Sequence, residues 1–103
     1  MGGISNAIAS SARAAGVEIR TNCNIKHIDI RNSKVHGVVL DNGEEINGRI
    51  VASNATAYVT YKELISNDVI QSNKDLQELR AHILQMDYTS GTTKINLALS
   101  GLP

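Results

Sequence analysis

The stretch that decides the fold runs from Gly16 to Asn54. It reads G-V-E-I-R-T-N-C-N-I-K-H-I-D-I over residues 16–30, V-H-G-V-V-L-D-N-G-E-E-I over 35–46 and G-R-I-V-A-S-N over 48–54. Val17–Arg20 reads as a short apolar strand leaving a helix through a very short connection. Cys23–Arg31 and Val35–Asp41 flank Asn32-Ser33, and Asn42-Gly43 stands at a second turn that needs positive φ. Two consecutive hairpins follow, so a three-stranded antiparallel meander is expected over Cys23–Ile46. Arg49–Ser53 then forms a compact return strand ending in small polar residues. Helix-linked apolar runs belong in parallel sheets, so Val17–Arg20 and Ile50–Ser53 are predicted to lie parallel in a different sheet. The fold class is α/β.

With Asn32-Ser33 as a two-residue turn, Ile30 pairs with Val35, Ile28 with Gly37 and Ile25 with Leu40. One face then carries Ile28, Ile30, Val35 and Val39. The other collects His27, Asp29 and His36, a set that invites a metal or general-base reading. With no third strong ligand nearby in sequence, the reading is a solvated face, and no metal site is expected. His82 stands apart, with no Glu or His at ligand spacing.

Outward from the meander, Ile4, Ala7, Ile8, Ser11, Ala12 and Ala15 follow helical spacing over Ile4–Ala15, with Gly16 as the left-handed cap. Downstream, Tyr58–Ile65 can form a helix, and Ser72 and Asp75 have capping-box spacing. Leu76, Leu79, Ile83 and Leu84 recur on one helical face behind them. T-T-K-I-N-L-A-L-S over Thr92–Ser100 alternates apolar and other residues as a strand does.

A chain of 103 residues allows one small domain and a modest core. With no Trp or Phe and three Tyr, packing rests on Ile, Val, Leu and Ala. Ten basic and ten acidic residues cancel and neither sign clusters, which argues against nucleic acid as a partner. The single cysteine, Cys23, excludes an internal disulfide, fits a reducing compartment and reads as a buried small hydrophobe. No apolar run approaches the roughly 20 residues of a membrane span. The opening residues lack the basic and apolar regions of a signal peptide, so any targeting address is expected upstream.

The segments I-S-N-A-I-A-S-S-A-R-A-A-G-V-E-I-R-T-N, I-K-H-I, V-H-G-V-V-L-D-N-G-E-E-I, V-A-S-N-A and T-T-K-I-N-L-A-L-S-G-L-P together resemble the phytoene desaturase and carotenoid isomerase branch of FAD-dependent oxidoreductases. The resemblance covers essentially the whole chain. It implies a fragment of a GR2-type FAD-binding, Rossmann-like fold. Residues 1–57 would be the second half of the FAD/NAD(P)-binding domain, and residues 58–103 the start of the substrate domain. The G-x-G-x-x-G fingerprint and its acidic ribose-binding partner do not occur in the chain and are expected upstream. The cofactor implied is FAD. Ile25 would wall the adenine end, and Ser53 and Asn54 would lie near the flavin, although Asn54 also suits an ordinary helix cap. The parent is then an oxidoreductase with an apolar small-molecule substrate and an intracellular, mitochondrial address, and the chain alone is expected to be inactive. No catalytic residue is assigned. The competing class is a non-catalytic interaction or structural protein on a flavoprotein scaffold.

Overall fold

The computed structural model describes residues 2–95 and 101. Helix α1 spans Gly2–Ala14, rich in Ala and Ser, with Arg13 in its last turn where a cation meets the negative end of the helix dipole. It stops as expected. Gly16 takes φ +87°, its N–H donates to the Arg13 carbonyl at 2.9 Å, and the Val17 N–H donates to the Ala12 carbonyl at 3.0 Å. These two bonds form a Schellman cap. Nothing on α1 is buried, and Ile4 and Ile8 face outward.

Strands β1 (Ile25–Arg31), β2 (Lys34–Leu40) and β3 (Glu45–Asn47) form the antiparallel meander in the order β1-β2-β3. Its first turn places Asn32 and Ser33 at φ 50° and 60°, the two left-handed residues of a type I′ turn. The second is a three-residue loop, Asp41-Asn42-Gly43. The Gly43 N–H donates to the Leu40 carbonyl at 2.9 Å, and the Leu40 N–H donates to the Glu44 carbonyl at 2.9 Å. Only Gly43 needs positive φ here, at +87°; Asn42 instead accepts a side-chain bond from the Glu44 N–H at 2.9 Å.

The β1–β2 register departs from the expected one in its middle. Ile30 faces Val35 and Ile25 faces Leu40, as anticipated, but Ile28 faces Val38 rather than Gly37. Two bulges explain this: Lys26 is an extra residue on β1 and His36 an extra residue on β2. Val38 therefore shares a face with Ile28, whereas Val39 sits opposite His27. His36, as the bulge residue, faces neither His27 nor Asp29. On that polar face Asp29 is held by Arg31, at 2.6 and 2.9 Å, and Glu45 lies 3.8 Å from the same guanidinium. Among the described residues, no group of three or more His, Cys, Asp and Glu could hold a metal ion.

The predicted parallel pair is not found. Val17–Arg20 and Ile50–Ser53 carry no strand pairing, and the only sheet among the described residues is the meander. An extended segment becomes a strand only when a neighbour takes up its N–H and C=O groups, and the described residues supply none. Ile50 accordingly stands 88% exposed. Cys23 is likewise exposed rather than buried, its thiol donating to the Thr21 carbonyl at 3.3 Å.

Helical residues cover the Ile28 face. α2 (Ala57–Val59) runs directly into a π-helical turn, Thr60–Leu64, closed by the Ile65 N–H donating to the Thr60 carbonyl at 3.1 Å. The single helix expected over Tyr58–Ile65 thus changes winding after one turn. α3 (Asn67–Gln71), not anticipated, packs on α4 (Lys74–Leu84). The cap of α4 is Asn73, accepting from the Asp75 and Leu76 N–H groups, while Ser72 ends α3. Ile28 and Leu40 on the sheet and Ile70 and Ile83 on α3 and α4 are the buried apolar residues among those described, and the π-turn joins the two layers, touching both β1 and α4. The strand expected over Thr92–Ser100 lies partly outside the described residues, and 92–95 carry no strand. No described helix is long and apolar enough to cross a membrane.

Candidate functional site

Between the meander and the chain leaving it lies a cleft of about 280 Å³. Ile25, Ile28, Val38, Val51 and Leu64 make its apolar walls, and Ser53 and Asn54 stand at its polar lip. All three residues singled out from the sequence as cofactor-binding, Ile25, Ser53 and Asn54, line this one cleft.

The Lys26 bulge puts Ile25 there. In an unbroken strand, residues three apart point to opposite faces, so Ile25 and Ile28 would be separated by the sheet. One extra residue between Ile25 and His27 restores them to the same side. Ile25 is 38% exposed, and a neighbouring cleft lined by Arg20, Cys23, Leu40 and Ile46 touches its other flank. Arg20 borders that second cleft with 2.6 Å ion pairs to Glu44 and Glu18, and the hydrogen bonds it donates to Glu44 and then Glu18 raise the pKa of its guanidinium. Both pairs are solvent-exposed, so they orient the 17–20 segment more than they stabilise it.

Ser53 is fixed by two partners. Its Oγ shares a 2.8 Å hydrogen bond with Thr60 Oγ1 and accepts from the Ala55 N–H at 3.3 Å. Asn54 is not the helix cap. That role falls to Thr56, whose Oγ1 accepts from the Val59 N–H at 3.2 Å, leaving the Asn54 side chain exposed at the lip. Sequence reasoning missed Thr60, Leu64 and Val38. Thr60 and Leu64 come from the helical layer beyond the loop, and no periodicity relates Ser53 to a hydroxyl seven residues later.

A third cleft, about 450 Å³, lies along Thr56, Tyr58, Met86, Tyr88 and Thr89. The Tyr58 and Tyr88 rings meet edge to face, centroids 6.0 Å apart at 69°, and the Tyr88 hydroxyl accepts from the Tyr58 N–H at 3.2 Å. The Lys62 ammonium lies 4.5 Å from the Tyr58 ring centroid and donates to the Tyr58 hydroxyl.

Three relatives give this geometry a context. The chain is 38% identical over 104 residues to pyridine nucleotide-disulfide oxidoreductase domain-containing protein 2 of Rattus norvegicus, an alignment covering 100% of this chain and 17% of that protein. It is 35% identical over 75 residues to chloroplastic prolycopene isomerase of Daucus carota, covering 73% of this chain and 12% of the relative. It is 38% identical over 71 residues to 4,4'-diaponeurosporene oxygenase of Staphylococcus aureus, covering 69% of this chain and 14% of the relative. The chain therefore spans less than a fifth of the length of each of these proteins. No protein-family model matches it, and no solved structure does.

Proposed function

The chain belongs with these homologues, as a segment of their branch of oxidoreductases, and on that premise we propose that it forms part of the cofactor site of an FAD-dependent oxidoreductase acting on an apolar small molecule. One observation carries the reading: Ile25, Ser53 and Asn54, the residues named from the sequence as cofactor-binding, line the same cleft.

The donor set fits part of such a group. Aliphatic walls suit the faces of a flat heteroaromatic ring, and hydroxyl, amide and backbone groups at one lip suit its polar edge. At about 280 Å³ the cleft is just below the usual range of small-molecule sites, roughly 300–1,000 Å³, so it takes one portion of the dinucleotide, and Ile25 and the Ser53–Asn54 lip would meet that same portion rather than its opposite ends. The glycine-rich turn and helix N-terminus that hold a pyrophosphate are not in this sequence. When bound, the flavin would supply electron acceptance; the residues here would wall the ring, orient its edge and exclude water.

In this reading residues 1–57 complete the cofactor-binding domain and residues 58–103 open the substrate domain. Val17–Arg20 and Ile50–Ser53 take their places in a parallel, Rossmann-like sheet beside strands contributed by other parts of the longer protein. The exposed apolar side chains of Val17, Ile19 and Ile50 support this, since each would be covered by such neighbours. The mitochondrial address belongs to the same proposal.

The experiment has two arms. A longer protein carrying this segment together with a glycine fingerprint is purified and its visible absorbance recorded; flavin bands at near one per chain are expected, and their absence after FAD supplementation overturns the proposal. The 103-residue chain is titrated with FAD by calorimetry. Sub-micromolar one-to-one binding there would overturn the assignment of the pyrophosphate site to other parts of the protein.

A further inference from the structure

The lip of the cleft is tied to the helical layer by one hydroxyl pair. Ser53 Oγ and Thr60 Oγ1 are 2.8 Å apart, and the Ala55 N–H adds a 3.3 Å bond to the same Ser53 oxygen. Thr60 is itself placed with care. Its N–H donates to the Thr56 carbonyl at 2.9 Å, and its carbonyl accepts from the Ile65 N–H at 3.1 Å, so it is the junction where α-helical winding gives way to the π-turn. Four residues further along that turn, Leu64 supplies one wall of the cleft. One short helical segment thus contributes a wall through Leu64 and holds the lip through Thr60.

We propose that Thr60 is a positioning residue: through Ser53 it fixes the Ser53–Ala55 turn so that the lip presents its polar groups to the edge of the bound cofactor. This rests on the flavin reading above. A free hydroxyl at position 53 would leave the turn to sample several geometries, and an edge contact needs one. The threonine methyl contributes little to this, so a serine should serve and a valine should not.

The test uses a flavin-containing longer protein that carries the segment. Thr60→Val, Thr60→Ser, Ser53→Ala and the Thr60→Val/Ser53→Ala double variant are compared for flavin dissociation, followed by the fluorescence of released flavin, and for thermal unfolding of the apoprotein. Loss of one hydrogen bond predicts about 3- to 10-fold faster flavin loss in Thr60→Val. Recovery is expected in Thr60→Ser, with no further loss in the double variant beyond the larger single effect. Apoprotein unfolding should differ little between the valine and serine variants. Equal flavin retention in the valine and serine variants, or additive losses in the double variant, would overturn the inference. So would a loss that tracks apoprotein stability alone. A wild-type protein without flavin would instead refute the reading beneath it, so the two failures are distinguishable.

Discussion

Gly37→Ala is the substitution this structure forbids most clearly. Gly37 sits on β2 beside the His36 bulge at φ +148°, opposite Asn47 on β3. A Cβ there would lie 2.0 Å from the Ile46 carbonyl oxygen and 2.9 Å from the Asn47 Cα. Both are backbone atoms, so no rotamer relieves the overlap. Ordinary contact begins near 3.4 Å, so the strands must part or slide by about an ångström. Beside that position the Gly48 N–H donates to the His36 carbonyl at 2.8 Å, and a shift of this size breaks it. Backbone strain of about 1–3 kcal/mol and about 1 kcal/mol for each ladder bond lost give about 3 kcal/mol in total. That is a large share of the roughly 5–15 kcal/mol that holds a domain together. The assay is urea unfolding of a protein carrying the segment, paired with amide exchange across residues 34–47. Loss of protection in β3 with β1–β2 retained is expected. A variant within about 0.5 kcal/mol of wild type, with β3 still protected, would refute the argument from close approach.

Gly43→Val should cost roughly 1 kcal/mol or more, from φ alone, because the space around that position is open and only the left-handed backbone opposes a β-branched residue; equal urea midpoints would count against it. Ile25→Asp should empty flavin from a longer protein more than it lowers its stability, by setting a carboxylate against an apolar wall, whereas His27→Ala and His36→Ala should change flavin content little. Flavin per folded chain decides this, and the reverse pattern would sink the site assignment. Hydrogen bonds from the Thr89 hydroxyl and N–H hold the Asp87 carboxyl below the usual carboxylate range. A depressed folded-state pKa contributes stability that is complete above about pH 4 and lost as pH falls through the lower folded value. An NMR titration of the Asp87 carboxyl with a midpoint at or above about 4 would contradict the turn geometry.

What was legible in the sequence was local. Gly16, Asn32-Ser33 and Gly43 each mark a backbone conformation that few residues adopt, and each sits where its chemistry places it. These turns fixed the meander and the turn end of the β1–β2 register; Ile25 still meets Leu40 because the two bulges, one on each strand, cancel. The middle of that register was not legible, because a bulge leaves no mark in hydrophobic alternation and Gly37 answers to a carbonyl on another strand. The π-turn was hidden for a similar reason: Tyr58–Ile65 has helical composition, and only the fit of Thr60 and Leu64 to the layer beneath sets the winding. Ile25, Ser53 and Asn54 could be named through the family likeness. Their convergence depends on the Lys26 bulge and the Thr60 hydroxyl, both invisible along the chain. The parallel pairing expected of Val17–Arg20 and Ile50–Ser53 was not found for a plainer reason, since pairing is a property of two segments and no described residue pairs with either.

The two tight turns bear on the order of events during synthesis. Every pairing in the meander joins residues no more than 15 positions apart, from Ile25 with Leu40 down to Arg31 with Lys34. Loop closure over such distances is fast, and hairpins form in about 1–10 μs, far quicker than the ribosome adds one residue. The meander can therefore close as soon as Asn47 has cleared the exit tunnel, whatever has or has not folded before it. Ile25 would then be seated beside Ile28 while Ser53 and Thr60 are still being delivered, and the lip of the cleft would be built onto a wall already in place.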